Sequence, residues 1–127
     1  MNTDDVVLNG PTERIIGCAM VVSNALGVGF VERVYENTLV HELRKAGLAV
    51  RQQHGIVVMY DGIVVGEYAV DLLVEDTVLV ELKALRAVTE LHYAQCMNYL
   101  RATERRLCLL LNFGNPRLGI KRFVVGP

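Results

Sequence analysis

Residues 69–85 read AVDLLVEDTVLVELKAL, two runs of Val and Leu on either side of an acidic pair, with Asp71, Glu81 and Lys83 set among them. Successive side chains of a strand point to opposite faces of its sheet. Val70, Leu72, Val74, Val78, Val80 and Leu82 then form a wholly apolar face that requires a core. Ala69, Asp71, Leu73, Leu79, Glu81 and Lys83 form the other face, provided that the turn preserves parity. A three-residue connection, Glu75-Asp76-Thr77, does so and places Leu73 opposite Leu79 and Asp71 opposite Glu81, although the usual form of that turn favours a glycine and none is present.

Carboxylates facing each other across a strand pair lie about 5 Å apart and repel by roughly 3 kcal/mol at an effective dielectric near about 20. Lys83 offsets part of that repulsion, and a divalent cation would remove it. Mg²⁺ suits the second role, because it takes one or two carboxylates together with waters and phosphate oxygens. An exposed sheet face carrying an ordinary Asp–Lys or Glu–Lys ion pair accounts for the same residues. If the acids are held close, neutralising one of them, as in Asp71→Asn, is expected to leave the metal-free protein at least as stable as wild type.

At 127 residues and 52% hydrophobic content the chain is expected to fold as one domain over 1–127, long enough to bury a core. It contains no uncharged apolar run of about eighteen residues, and its first ten residues are acidic where a secretory leader is basic, so a soluble cytoplasmic protein with no membrane association is expected. Cys18, Cys96 and Cys108 are odd in number and widely spaced, which argues against a disulfide framework or a zinc knuckle and for small core residues. The net charge of −1 gives nucleic-acid binding no support by itself. Its distribution is uneven: residues 101–127 carry Arg101, Arg105, Arg106, Arg117, Lys121 and Arg122 against Glu104 alone. Such a segment can follow a phosphate backbone or can guard an exposed sheet edge.

Outward from the hairpin, PTERIIGCAMVVSNALGVG (11–29) has helical apolar spacing, with Gly27 and Gly29 to stop it. FVERVYENTLVHELRKAG (30–47) predicts a second helix that buries Val31, Val34, Tyr35, Leu39 and Leu43. Residues 49–85 predict three or four strands, with Asp61-Gly62 as a hairpin turn. TELHYAQCMNYLRAT (89–103) returns to helical spacing, RRLCLLLNFG (105–114) reads as a buried strand, and GIKRFVV (119–125) as a last edge strand. The order implies an α/β fold, a mixed sheet flanked by helices.

Two helices add polar groups. Glu32 shares one side of its helix with Tyr35 and Glu36, as the helix dipole alone would favour near an N-terminus. His92, Gln95 and Tyr99 form a polar stripe about 120° around from the apolar stripe of Tyr93, Cys96, Met97 and Leu100. The ordered set GFVE (29–32), Asp71, ELK (81–83) and QCMNY (95–99) resembles the PD-(D/E)XK nuclease superfamily, in particular its RecB-like branch. Gly29, Glu32 and Tyr35 further resemble the signature of the small GxxExxY proteins within it, with Val28 departing from the usual small residue or proline of the glycine turn.

The resemblance implies a restriction-endonuclease-like fold and a Mg²⁺- or Mn²⁺-dependent nuclease with nucleic acid, in the first place DNA, as its partner. It implies Asp71, Glu81, Lys83 and Gln95 as catalytic residues, and Glu32, Asp71, Glu81 and the Leu82 carbonyl around the metal. Tyr35, His92 and Tyr99 are then expected to position substrate. The alternative is an inactive nuclease-fold module that binds nucleic acid or a protein. A homodimer is compatible with the small size, without a surface that the sequence identifies.

Overall fold

The computed structural model describes residues 3–126, and side chains from residue 9 onward. The chain runs α1 (Thr3–Leu26), α2 (Glu32–Lys45), β1 (Val50–Tyr60), β2 (Ile63–Val74), β3 (Val78–Lys83), α3 (Glu90–Thr103), β4 (Leu107–Asn112) and β5 (Gly119–Val124). The strands form one mixed sheet in the order β1-β2-β3-β4-β5. β3 and β4 are parallel, a pairing that needs a crossover, which α3 provides; the other pairs are antiparallel.

Helices cover both faces. Ile15, Ala19 and Val22 of α1 and Tyr35, Leu39 and Leu43 of α2 pack with Leu72, Val74, Val78, Val80 and Leu82. Cys96, Tyr99 and Leu100 of α3 pack with Leu73, Leu79, Cys108 and Leu110. The result is the α/β architecture with a helix-flanked mixed sheet that the element order implies, and it agrees with a restriction-endonuclease-like fold. Among the described residues no helix is long and apolar enough to cross a membrane.

The central hairpin forms in the expected register, with Leu73 paired to Leu79 and Val74 to Val78. Its turn lacks glycine, and Glu75 and Asp76 take left-handed φ of 54° and 56°. Side-chain bonds offset that strain: Glu75 accepts the Ala49 N–H at 2.8 Å, and Arg105 Nη2 meets Asp76 Oδ1 at 3.1 Å. Asp61 and Gly62, both at positive φ, make the tight turn between β1 and β2.

Three expectations are corrected. α1 begins at Thr3 and runs through Pro11, because proline lacks one helical donor yet its φ fits a helix. Val31, expected in the core, instead caps α2 and is left 71% exposed. The apolar parity of β2 breaks at Asp71: Leu72 packs toward α1 and α2, whereas Val70 packs with Ile56 and Leu79 toward α3. The β1–β2 ladder skips Asp71 and its facing residue Gln53, whose φ of +53° interrupts the pleat.

Candidate active site

The interruption of the ladder builds the site. Past Leu72 and Val80 the β2–β3 pairing gives way to carboxylates. Glu81 Oε1 accepts the Asp71 N–H at 2.8 Å, and Asp71 Oδ2 accepts the Leu82 N–H at 2.8 Å, so each acid satisfies a main-chain donor of the opposite strand. One oxygen of each remains. Asp71 Oδ1 accepts from Gln53 Nε2 at 3.1 Å, and Glu81 Oε2 lies 4.0 Å from Lys83 Nζ.

Crowding and burial act together on the protons. Burial pushes the Glu81 carboxyl up to about 8, the Asp71 charge adds to the shift, and the Asp71 N–H and Lys83 only partly oppose it. Asp71 is also raised, again by burial first, against the Leu82 and Gln53 hydrogen bonds and Lys83. Glu32, at the start of α2, is raised by burial while Lys83 opposes and Asp71 and Glu36 add to it, which places its charge in the same group. At the other side, Gln95 Nε2 donates to Tyr99 Oη at 2.8 Å. Tyr99 is pushed up to about 12 by burial and then by Glu81 and Asp71, so its hydroxyl stays protonated beside them.

Asp71, Glu81 and Lys83 are thus brought together, with Glu32 and Tyr99 close enough to share their field. Tyr35 is not part of the site, and its expected role is corrected. Its ring is fully buried and stacked on Phe113, and its hydroxyl donates to the Gly27 carbonyl at 2.7 Å and accepts the Phe30 N–H at 3.3 Å. It ties down the turn that delivers Glu32. His92 is engaged elsewhere: its Nδ1 accepts the Thr89 N–H at 2.9 Å in a capping box at the start of α3.

A relay of amides was not legible in the sequence. Gln53 Nε2 bridges Asp71 to Glu36, which it meets at 2.9 Å, and Gln52 Nε2 binds Glu36 at 2.6 Å. Adjacent strand residues normally point apart, so both glutamines reach Glu36 only because Gln53 is left-handed. That explains the burial of Glu36. Asn112 at the end of β4 was also missed: it accepts the Leu85 N–H at 3.0 Å and donates to the Leu85 carbonyl at 2.9 Å, which pins the segment leaving Lys83.

A family model for the PD-(D/E)XK nuclease superfamily matches residues 9–123. The chain belongs to the PD-(D/E)XK nuclease superfamily. Neither curated proteins nor solved structures gave a match. Nucleases of this superfamily typically use divalent metals. Among the described residues no three His, Cys, Asp or Glu side chains group to hold an ion by themselves, so any ion here would draw on two carboxylates and main-chain oxygen. The donor set fits a hard divalent cation: Asp71 Oδ1 and Glu81 Oε2 are not spent on the ladder, and both acids carry the raised proton affinity that a nearby cation would relieve.

Proposed function

We propose that this protein is a Mg²⁺- or Mn²⁺-dependent nuclease that hydrolyses phosphodiester bonds of DNA. The observation that supports it most is the meeting of Asp71, Glu81 and Lys83 where the β2–β3 ladder opens, within a chain of the matching superfamily. Asp71 and Glu81 would hold the metal, with the Leu82 carbonyl as a further donor and Glu32 as an outer ligand. When bound, the ion would supply Lewis-acid neutralisation of phosphate charge and a water of lowered pKa. Lys83 lies beside the acids on a rigid strand, where its ammonium can orient the attacking water and offset the charge that develops on phosphorus oxygens. Gln95 and Tyr99, locked to each other, would position the substrate strand. They line one part of a groove of about 1000 Å³ between α3 and the β1–β2 hairpin. The turn at Gly29, with φ of +108°, and the Tyr35 hydroxyl that ties it down suit the GxxExxY branch.

Purified protein incubated with single-stranded, duplex and branched DNA should cut in Mg²⁺ or Mn²⁺ and not in EDTA, and Lys83→Ala should not cut at all. Equal cutting by wild type and Lys83→Ala would assign the activity to a contaminant and overturn the reading.

A second reading, an inactive module that binds nucleic acid or protein, is favoured by one observation. The acid pair is already satisfied internally, by two main-chain donors and a carboxyl that holds its proton to about pH 8. The readings separate on metal linkage, since a real metal site gains melting temperature on adding millimolar Mn²⁺ and a purely structural pair does not.

A further inference from the structure

Gln53 carries backbone strain without serving the core. Its φ of +53° lies in the left-handed region that costs every residue but glycine, and the β1–β2 ladder passes over it and Asp71 together. The residue is exposed and belongs to neither core cluster. Strain kept at such a position points to a site rather than to packing.

The strained turn brings one amide nitrogen between two acids. Gln53 Nε2 donates to Asp71 Oδ1 at 3.1 Å and to Glu36 Oε1 and Oε2 at 2.9 and 3.1 Å. Ionised carboxylates only accept, so an amide that faces both presents its NH₂, which settles the orientation of the side chain. The Glu36 end is a firm anchor: it is 2% exposed and is also held by Gln52 Nε2 at 2.6 Å and Arg33 Nε at 3.8 Å. At the other end the Leu82 N–H already fixes Asp71 Oδ2. Both oxygens of Asp71 are then fixed in direction, and each keeps a lone pair for a cation.

We infer that Gln53 is a positioning residue for the divalent cation: backed by Glu36, it holds Asp71 in the orientation that metal binding needs. The inference rests on the metal reading of the site and adds a residue outside GFVE, ELK and QCMNY. Hydrogen-bond partners that orient a metal ligand commonly set its affinity by about 10- to 100-fold.

Mn²⁺ binding to the whole protein in the absence of DNA, followed by the electron paramagnetic resonance signal of free Mn²⁺, tests it. Two variants tolerate positive φ: Gln53→Gly removes the amide, and Gln53→Asn draws it back by one methylene. Gln53→Gly should weaken Mn²⁺ binding about 10- to 100-fold, and Gln53→Asn should fall between it and wild type. A loss shared by both traces to the amide rather than to the freedom of glycine, since asparagine keeps a Cβ. Melting temperatures in EDTA should stay within a few degrees of wild type, because relief of backbone strain offsets the lost hydrogen bonds. A purely structural Gln53 gives the opposite split, a lower melting temperature in EDTA with Mn²⁺ affinity unchanged, and that result overturns the inference. Failure of wild type itself to bind millimolar Mn²⁺ overturns the metal reading and this inference with it, so wild type alone tells the two failures apart.

Discussion

At the scale of single residues, Glu81 dominates the behaviour of the metal-free protein. Its carboxyl titrates near 8 in the fold against an ordinary value of 4.5, so the folded state keeps a proton that the unfolded chain has released. The contribution of Glu81 to stability is therefore fully present below the ordinary carboxylate range and is lost as pH rises toward about 8, by a few kcal/mol at most. Melting temperatures in EDTA should drop between about pH 5 and pH 8, and Glu81→Gln should flatten that slope and melt above wild type at the upper pH. An undiminished slope in the Gln variant would assign the titration to another group. The structure also revises the expectation for Asp71→Asn. Both oxygens of Asp71 accept hydrogen bonds, from the Leu82 N–H and from Gln53, and an asparagine can satisfy only one. Its relief of repulsion is offset by a donor facing a donor, so it should melt below Glu81→Gln in EDTA. Calorimetry of the two variants side by side decides the order.

Elements carry the site through their ends. Tyr35 links α1 to α2 by bonding the Gly27 carbonyl and the Phe30 N–H, and Tyr35→Phe should cost about 1 to 2 kcal/mol in denaturant unfolding while preserving the metal-induced rise in melting temperature. Loss of that rise would return Tyr35 to the site. Asn112 links β4 to the segment after β3: its amide closes both polar groups of Leu85, and its oxygen also takes the Gly114 N–H at 3.1 Å. Asn112→Ala should destabilise by roughly 1 to 3 kcal/mol, because main-chain groups of Leu85 and Gly114 lose a partly buried partner. An unfolding free energy equal to wild type would show that water replaces the amide without loss. The apolar spacing of residues 30–47 pointed to Val31 as a core residue, whereas it caps α2 and stays exposed. The burial of Glu36 comes from Gln52 and Gln53 on β1, which no helical pattern can contain.

Across the whole molecule, two arginines of the basic C-terminal segment serve contacts within the fold. Arg105 braces the β2–β3 turn through Asp76, and Arg122 reaches Asn9 on α1. Lys121 differs. The register sets Glu81, Leu110 and Lys121 in one row across β3, β4 and β5, and Lys121 stands 5.0 Å from the centroid of the Tyr93 ring on α3, the helix that also carries Tyr99. Two strand spacings, about 10 Å, separate it from Glu81, so under the proposed nuclease reading it would meet a phosphate next to the scissile one. Lys121→Ala should weaken DNA binding and lower the salt slope by about one unit without changing the melting temperature by more than a few degrees. Binding isotherms at several salt concentrations check it, and an unchanged slope would place the DNA elsewhere.

Much of this was legible along the chain. Strand alternation in residues 69–85 gave the register of the central hairpin, Asp61-Gly62 gave its neighbour's turn, and the order of elements gave a mixed sheet, because these depend on local spacing and turn chemistry. The register of the hairpin brought Asp71, Glu81 and Lys83 near one another on the condition that its turn kept parity, although the ladder itself ends at Leu72 and Val80. What tertiary structure alone decided was everything set by contacts between distant segments: the left-handed Gln53 that opens the ladder, the burial of Glu36 beneath two glutamines, the withdrawal of Tyr35 into the core, and the amide of Asn112 on Leu85. Gln53, Glu36 and Asn112 act through partners 16 to 27 positions away, Tyr35 stacks on the distant Phe113, and no period of two or of 3.6 reaches that far.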